Sequence, residues 1–353
     1  MKAETSLIGR MDAFNMTYDY DLLDLIEGIA AKFADLARIN KVQLGSFVSP
    51  ELAKSLHGDK EAISALLEFL VEKAITASIK SHAEPGQYAV LVEALQHPDP
   101  NKNAIRMAVS DTRSELEKSR MDEIIESYCL ETTSAGPIAS LLEKVESKLD
   151  VDAKLLGRTC RIFFECAIVR GTAQEKEFVF RKELTNTKVF LVSNDPPPNR
   201  AIQHYCRHAG VHLEGAPTGI EAITELGRSA KTDPFKIVAI APPIEDASAV
   251  ELAHTIRSST MKSLKLLFVA PWDDPIANEE ALKAGFDEIL VNPFRQEELL
   301  EVLQKLAGIE SKLIREPVRV LIVEDNPINA KVAFFQLREL GLESETAEMG
   351  KER

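Results

Sequence analysis

The sequence predicts two α/β bodies in series, a two-layer α+β sandwich followed by a doubly wound parallel sheet, with the opening of a further βαβ segment behind them. Three observations carry this prediction. In the first half, apolar residues recur at helical spacing and then alternate over strand-length runs. From Lys188 to Ala307, strand and helix patterns alternate regularly. A stretch near the C-terminus then repeats the start of that second series.

In the first half, Asp19 or Asp21 is placed to cap a helix whose one face carries Leu22, Leu25, Ile26, Ile29, Phe33 and Leu36. Val42 to Val48 reads as a short strand stopped by Ser49-Pro50. A second long helix begins near Gly58-Asp59 and turns Ile63, Leu66, Leu67, Leu70, Ala74 and Ile75 to one side. Residues 88–96 and 104–109 flank the turn His97-Pro98-Asp99-Pro100-Asn101 and form a hairpin. A third helix over 137–149 and a strand over 158–169 complete a helical layer on a mostly antiparallel sheet.

Residues 170–187 read as a joint. Beyond it the spacing predicts strands over 188–192, 211–214, 236–241, 265–270 and 287–291. Helices follow each of them, near 199–209, 219–230, 248–258, 275–284 and 295–307. After a second linker comes Arg319-Val-Leu-Ile-Val-Glu-Asp-Asn-Pro-Ile-Asn-Ala-Lys331, a β-branched run that ends in Glu324 and Asp325 before Pro327 opens a helix. Two carboxylates at the carboxyl end of a parallel strand suit a hard cation such as Mg²⁺. Lys188-Val-Phe-Leu-Val-Ser-Asn-Asp-Pro196 aligns with its first nine residues without a gap, but Ser193 and Asn194 stand where Glu324 and Asp325 stand.

Val320 to Asn329 resembles the opening of a receiver domain of two-component signalling, in the form found in hybrid histidine kinases. The alternating series over 188–308 is similar to a whole receiver, a flavodoxin-like fold. Phe47-Val-Ser-Pro-Glu-Leu-Ala-Lys-Ser-Leu-His-Gly-Asp59 and Val109-Ser-Asp-Thr-Arg-Ser-Glu-Leu116 resemble landmarks of the histidine-kinase ATP-binding domain. The resemblance implies an N-terminal lead over 1–20, an ATPase-like domain over 21–170, a joint over 171–187 and a receiver-like domain over 188–308. A linker over 309–317 and a truncated receiver over 318–353 follow.

The chemistry that the resemblance implies is largely missing. Glu68 and Lys73 occupy the helix that would present two asparagines, one of them for Mg²⁺ on the triphosphate, and a lysine there repels the metal. Asp111 and Thr112 remain from an Asp-x-Gly-x-Gly box, with Arg113 and Glu115 in place of its glycines, and a glycine-rich lid is reduced to Ala135-Gly136-Pro137. Asp111 is the one residue left to meet an adenine amino group, and the simpler reading makes it a solvated turn cap. Lys73 reads as a surface lysine. In the receiver-like domain the acidic pair is Ser193-Asn194, the acceptor Ala241, the hydroxyl Ala270 and the lysine Asn292. Asp195, Asp273 and Asp274 read as solvated loop carboxylates. Glu324 and Asp325 keep the Mg²⁺ pair of a receiver that the 36 residues from 318 to 353 do not complete, as expected of a truncated reading frame or an excised fragment.

With 42 basic and 56 acidic residues among 353, the net charge of -14 argues against nucleic-acid or anionic-membrane binding. Cys129, Cys160, Cys166 and Cys206 lack C-x-x-C spacing and fit reduced thiols of a cytoplasmic protein. No apolar run reaches membrane-span length, although a parent protein could be membrane-attached. His57 falls in a loop. His204 and His208, at i and i+4, read as a solvated helix pair, and no autophosphorylation histidine is recognisable. The expected role is therefore a phosphorelay scaffold or regulatory module that contacts other phosphorelay proteins or a kinase dimer partner. No cofactor is expected to bind this chain, Mg²⁺ being reserved for the complete second receiver. The alternatives are a divergent kinase that still binds ATP through Asp111, and an unrelated small-molecule enzyme built on the 188–309 sheet.

Overall fold

The computed structural model describes residues 17–53, 55–80, 89–112, 137–152, 159–171, 182–194, 197–309, 319–324, 326–339 and 343–347. The chain divides into two compact units, Met1–Ile309 and Glu310–Arg353.

The first unit opens with β1 (Tyr18–Asp21), α1 (Leu22–Lys32) and α2 (Ala34–Ile39). Asp21 caps α1, its carboxylate accepting the N–H groups of Leu23 and Asp24. The single helix expected over this stretch is broken at Phe33, which ends α1 and begins α2. Next come β2 (Gln43–Val48), β3 (Ser55–Gly58) and α3 (Lys60–Lys80). β1 and β3 pair antiparallel and were not visible in the sequence pattern, so His57 lies on a strand rather than in a loop. There its Nδ1 is 2.8 Å from the Asp19 carboxylate.

β4 (Ala89–Gln96) and β5 (Ala104–Thr112) form the predicted hairpin; α4 (Pro137–Lys144), β6 (Asp150–Asp152) and β7 (Thr159–Ala167) follow. The sheet order is β2-β4-β5-β7-β6, antiparallel except for the β2–β4 pair. The third helix ends at Lys144, five residues before the predicted end, and the chain turns through Glu146 at φ 51° into β6. Strand alternation splits this sheet into two faces. Val90, Val92, Met107, Val109, Ile162 and Phe164 pack under α1 and α3 in one core. Phe47, Leu91, Glu93, Ser110 and Arg161 alternate to the other face.

A 3-10 turn (Lys182–Leu184) leads into β8 (Lys188–Val192), α5 (Pro197–His208), β9 (His212–Ala216), α6 (Gly219–Ser229), β10 (Ile237–Ile240) and α7 (Ala249–Ser258). β11 (Lys265–Ala270), α8 (Pro275–Ala284), β12 (Glu288–Val291) and α9 (Gln296–Ala307) complete the series. The strands are parallel in the order β12-β11-β10-β8-β9, the doubly wound arrangement the sequence predicted. One of its two cores continues into the first sheet: Phe47 and Leu91 are buried in the same cluster as Leu191, Ala201 and Tyr205. Polar contacts cross the same junction. The Val48 N–H donates to the Tyr205 hydroxyl at 3.2 Å, Gln43 Nε2 donates to the Pro242 carbonyl at 2.9 Å, and the Gln296 N–H donates to Glu27 at 2.8 Å.

The second unit is a βαβ segment in which β13 (Arg319–Val323) and β14 (Glu343–Ala347) pair in parallel around α10 (Pro327–Glu339). It therefore opens as β8–α5–β9 does, as the sequence repeat implies. Leu321, Val323, Ile328, Val332 and Phe335 are all more than half exposed.

Candidate functional site

The carboxyl ends of β8, β10, β11 and β12 bring Ser193, Ala241, Ala270 and Asn292 together at the crevice where doubly wound sheets bind ligands. Ala241 and Ala270 are buried and carry no functional group. The Ser193 hydroxyl accepts from Asn199 Nδ2 at 2.8 Å, and the same amide reaches the Ala241 carbonyl at 3.2 Å. Asn194 is exposed, its N–H donating to the Pro243 carbonyl at 3.1 Å. Asn292 is 4% exposed. Among the described residues nothing donates a hydrogen bond to the buried Oδ1 atoms of Asn199 and Asn292. Ser193, Asn194, Asn199, Ala241, Ala270 and Asn292 are all neutral, so none of these six offsets the charge of a divalent cation as a carboxylate pair would. Asn199 escaped the sequence reading; its only signal was its place in the first turn of α5, beside a strand end.

Asp273 is an exposed loop carboxylate, as expected, and Asp274 beside it is half-buried. Asp274 caps α8 by accepting from Ile276 and Ala277, and Asp273 accepts from Asn278 Nδ2 at 3.1 Å. Asp195 lies outside the described residues.

In the α+β sandwich, Asp111 corrects the simpler expectation. It is 3% exposed and sits within the ladder between Val90 and Cys160, so it is neither solvated nor a turn cap. Alternation places it on the helix-facing side with Met107 and Val109. Thr112 beside it accepts the Ala89 N–H at 2.8 Å. On α3, Glu68 is tied to Lys32 of α1 at 2.6 Å. Lys73 is half-buried, with its ammonium 5.4 Å from the Phe69 ring, rather than a free surface lysine. An ion pair and a second cation thus occupy the helix expected to hold a metal-bound triphosphate, and they do not suit it. Arg113, Glu115, Ala135 and Gly136 lie outside the described residues.

In the second unit, Glu324 Oε1 accepts from the Asn326 N–H at 3.1 Å and from Asn329 Nδ2 at 3.4 Å. Asp325 lies outside the described residues. Among the described residues no group of three or more His, Cys, Asp or Glu is placed to hold a metal ion. Among them, too, no helix is long and apolar enough to cross a membrane.

His204 is exposed, as the solvated reading expects, and His208 is half-buried; both line a groove at the junction of the two sheets, where the His204 ring lies tilted, 4.9 Å from Phe47. Burial, and then the neighbouring Arg207 charge, lower the His204 pKa from its usual value. On the groove floor Glu93 is 3% exposed, holds Arg161 through both carboxylate oxygens at 3.2 Å and accepts from the Ser110 hydroxyl. Cys166 and Cys206 are buried free thiols, each pushed up to about 12 by burial.

A two-layer α+β sandwich followed by a five-stranded parallel sheet is an arrangement that a solved structure shares. The structure of full-length ShkA in complex with AMPPNP superposes with a TM-score of 0.62 at 18% identity, covering 95% of this chain and 68% of that one. The autoinducer 2 sensor kinase/phosphatase LuxQ of Vibrio vulnificus strain YJ016 is 20% identical over 303 residues, which is 80% of this chain. LuxQ of strain CMCP6 is 19% identical over the same length. The chain spans 34% of the length of these curated relatives. No family model matches it. The likeness to signalling kinases read from short motifs is therefore met again in relatives named as sensor kinases, matched over most of the chain.

Proposed function

We propose that this segment serves phosphorelay signalling as a non-catalytic scaffold or regulatory module, with the sandwich over 21–170 and the sheet over 188–308 as its two domains. The observation that carries this is the crevice of the second sheet. Phosphoryl transfer to a receiver needs a metal, a carboxylate acceptor and a cation to offset charge on the phosphoryl oxygens. Ser193, Ala241, Ala270 and Asn292 supply none of these, and Ser193 is committed to Asn199. What persists is the packing of one body on the other. The partners this fits are other phosphorelay proteins or a kinase dimer mate, in the cytoplasm. On this reading Glu324 and Asp325 are the pair that would take Mg²⁺.

The test incubates the purified chain with Mg²⁺ and radiolabelled acetyl phosphate, and separately follows its melting temperature in millimolar Mg-ATP. The expected results are no label on residues 188–308 and no shift of several degrees. A shift abolished by Asp111→Asn would instead support a divergent kinase that still binds nucleotide. Label on the 188–308 region would end the scaffold reading.

A further inference from the structure

We propose that the free edge of β12, in the groove it shares with α2, takes up an extended basic segment of a partner protein as an added strand. Among the described residues β12 pairs only with β11, so it ends the second sheet. The Asn292 N–H, just beyond the strand, donates to the Ala270 carbonyl of β11. Main-chain groups of successive residues in a parallel strand turn to opposite sides. Leu290 therefore faces β11 as Asn292 does, while Ile289 and Val291 turn their N–H and C=O groups outward.

Those outward groups open onto a groove of about 480 Å³. Ile289 to Pro293 line it in an unbroken run, together with parts of α9 and of α2 in the first body. An exposed strand edge is a template for another chain. A row of main-chain donors and acceptors beside a helix is the shape that binds peptides by strand addition, in which main-chain bonds give affinity and side-chain contacts give selectivity. β12 is four residues long, so an added strand of matching length runs about 13 Å.

The lining selects the kind of segment. Ala34 of α2 and Val302 of α9 offer apolar contact to aliphatic side chains. Of the charged residues, Asp35 is already paired with Arg38 on its own helix at 3.2 Å. Asp273 and Glu298 are exposed, and the donors they meet are neutral, the Asn278 amide and the Arg295 N–H. Their charge is left for an occupant to meet, which favours lysine or arginine among aliphatic residues and disfavours an acidic segment. A chain that did accept a phosphoryl group could still add a strand here, so this inference and the proposed function fail separately.

The experiment follows the fluorescence anisotropy of a labelled, end-capped pentapeptide of alternating valine and lysine on titration with the whole chain. Its companions are the same peptide with glutamate for lysine, and two analogues N-methylated on alternate sets of amides. The protein variants are Asp273→Asn, Glu298→Gln, which keeps an acceptor for the Arg295 N–H, and Val291→Pro, which removes an outward donor. Circular dichroism checks that each is folded. The lysine peptide is expected to bind, and the glutamate peptide to bind about tenfold more weakly or not at all. One methylated analogue should lose binding and the other keep it, because only one set of amides faces β12. Each charge substitution should weaken binding about threefold, and Val291→Pro about tenfold. No binding up to about 1 mM peptide would overturn the proposal, as would equal binding of the two methylated analogues or indifference to all three substitutions. Dimerisation of the chain in sedimentation, relieved by Val291→Pro, would overturn it too, by making a second copy the occupant of the edge.

Discussion

Glu27 shows how one residue joins charge to packing. It sits on α1, 6% exposed, and accepts the Gln296 N–H at the start of α9. Burial raises its pKa to about 7, against the opposing pull of that N–H and of Arg295, while Asp24 on its own helix and Glu298 on α9 add to the rise. Folding therefore favours the protonated form. The stabilisation is fully present below about pH 4.5, the value in the unfolded chain, and is lost as pH rises through about 7. The loss is on the order of 3 kcal/mol. Two other groups act differently. Asp246, held low by the N–H groups of Gly219 and Ile220, destabilises only in more acidic solution. His204, lowered from 6.5 chiefly by burial, tilts stability the opposite way on the acid side of that value. Urea unfolding of Glu27→Gln and wild type at pH 5 and pH 8 separates these contributions. The substitution is expected to stabilise the protein at pH 8, where it removes a buried charge, and to have little effect at pH 5. An equal effect at both pH values would show that Glu27 is not protonated in the fold.

At the scale of elements, legibility follows locality. Every strand and helix from β8 to α9 was visible in the sequence, because each is a run of at least four residues bounded by turn residues and organised by its own periodicity. β1, β3 and β6 were not: β10 and β12 are as short but are apolar runs set between helices, whereas Tyr18–Asp21, Ser55–Gly58 and Asp150–Asp152 are largely polar and exist as strands only through partners distant in sequence. Asp21 was readable as a cap by the same logic, while the two caps of α8, Asp274 and Gly285, were not read from the sequence. Gly285 can be tested. It ends α8 at φ 99°, a conformation that favours glycine. An added Cβ would lie 3.0 Å from Arg257 Cγ. Arg257 cannot easily give way: its guanidinium donates to the Gly285 carbonyl at 2.8 and 2.7 Å, to Leu264 at 2.6 Å and to Asp287 at 2.7 Å. Gly285→Ala should cost about 1–3 kcal/mol, from backbone strain and displacement of Arg257. The urea midpoint should fall with the m-value unchanged.

For the whole first unit, the sequence hid the junction between the two sheets, although one clue was present. β2 is buried at every position, which a sheet covered on one side only would not require. Its helix-facing residues Leu44 and Val48 belong to one core and Phe47 to the other, so a single strand is shared between two cores. The shared cluster means that neither sheet exposes its junction face without the other losing apolar burial. Unfolding of the pair should therefore be cooperative. Trp272, the only tryptophan, lies between β11 and α8 and reports on the second sheet, while far-UV circular dichroism reports on both bodies. In wild type the two urea transitions should coincide. Phe47→Asp removes a side chain that is 6% exposed and buries a carboxylate in its place, at a cost of about 3 kcal/mol or more at the junction. The charge is expected to part the transitions, with circular dichroism falling at lower urea than Trp272 fluorescence. Coincident transitions in Phe47→Asp, merely shifted together, would mean that the junction's cooperativity is carried by its polar contacts through Gln43, Val48 and Glu27 rather than by the shared apolar cluster.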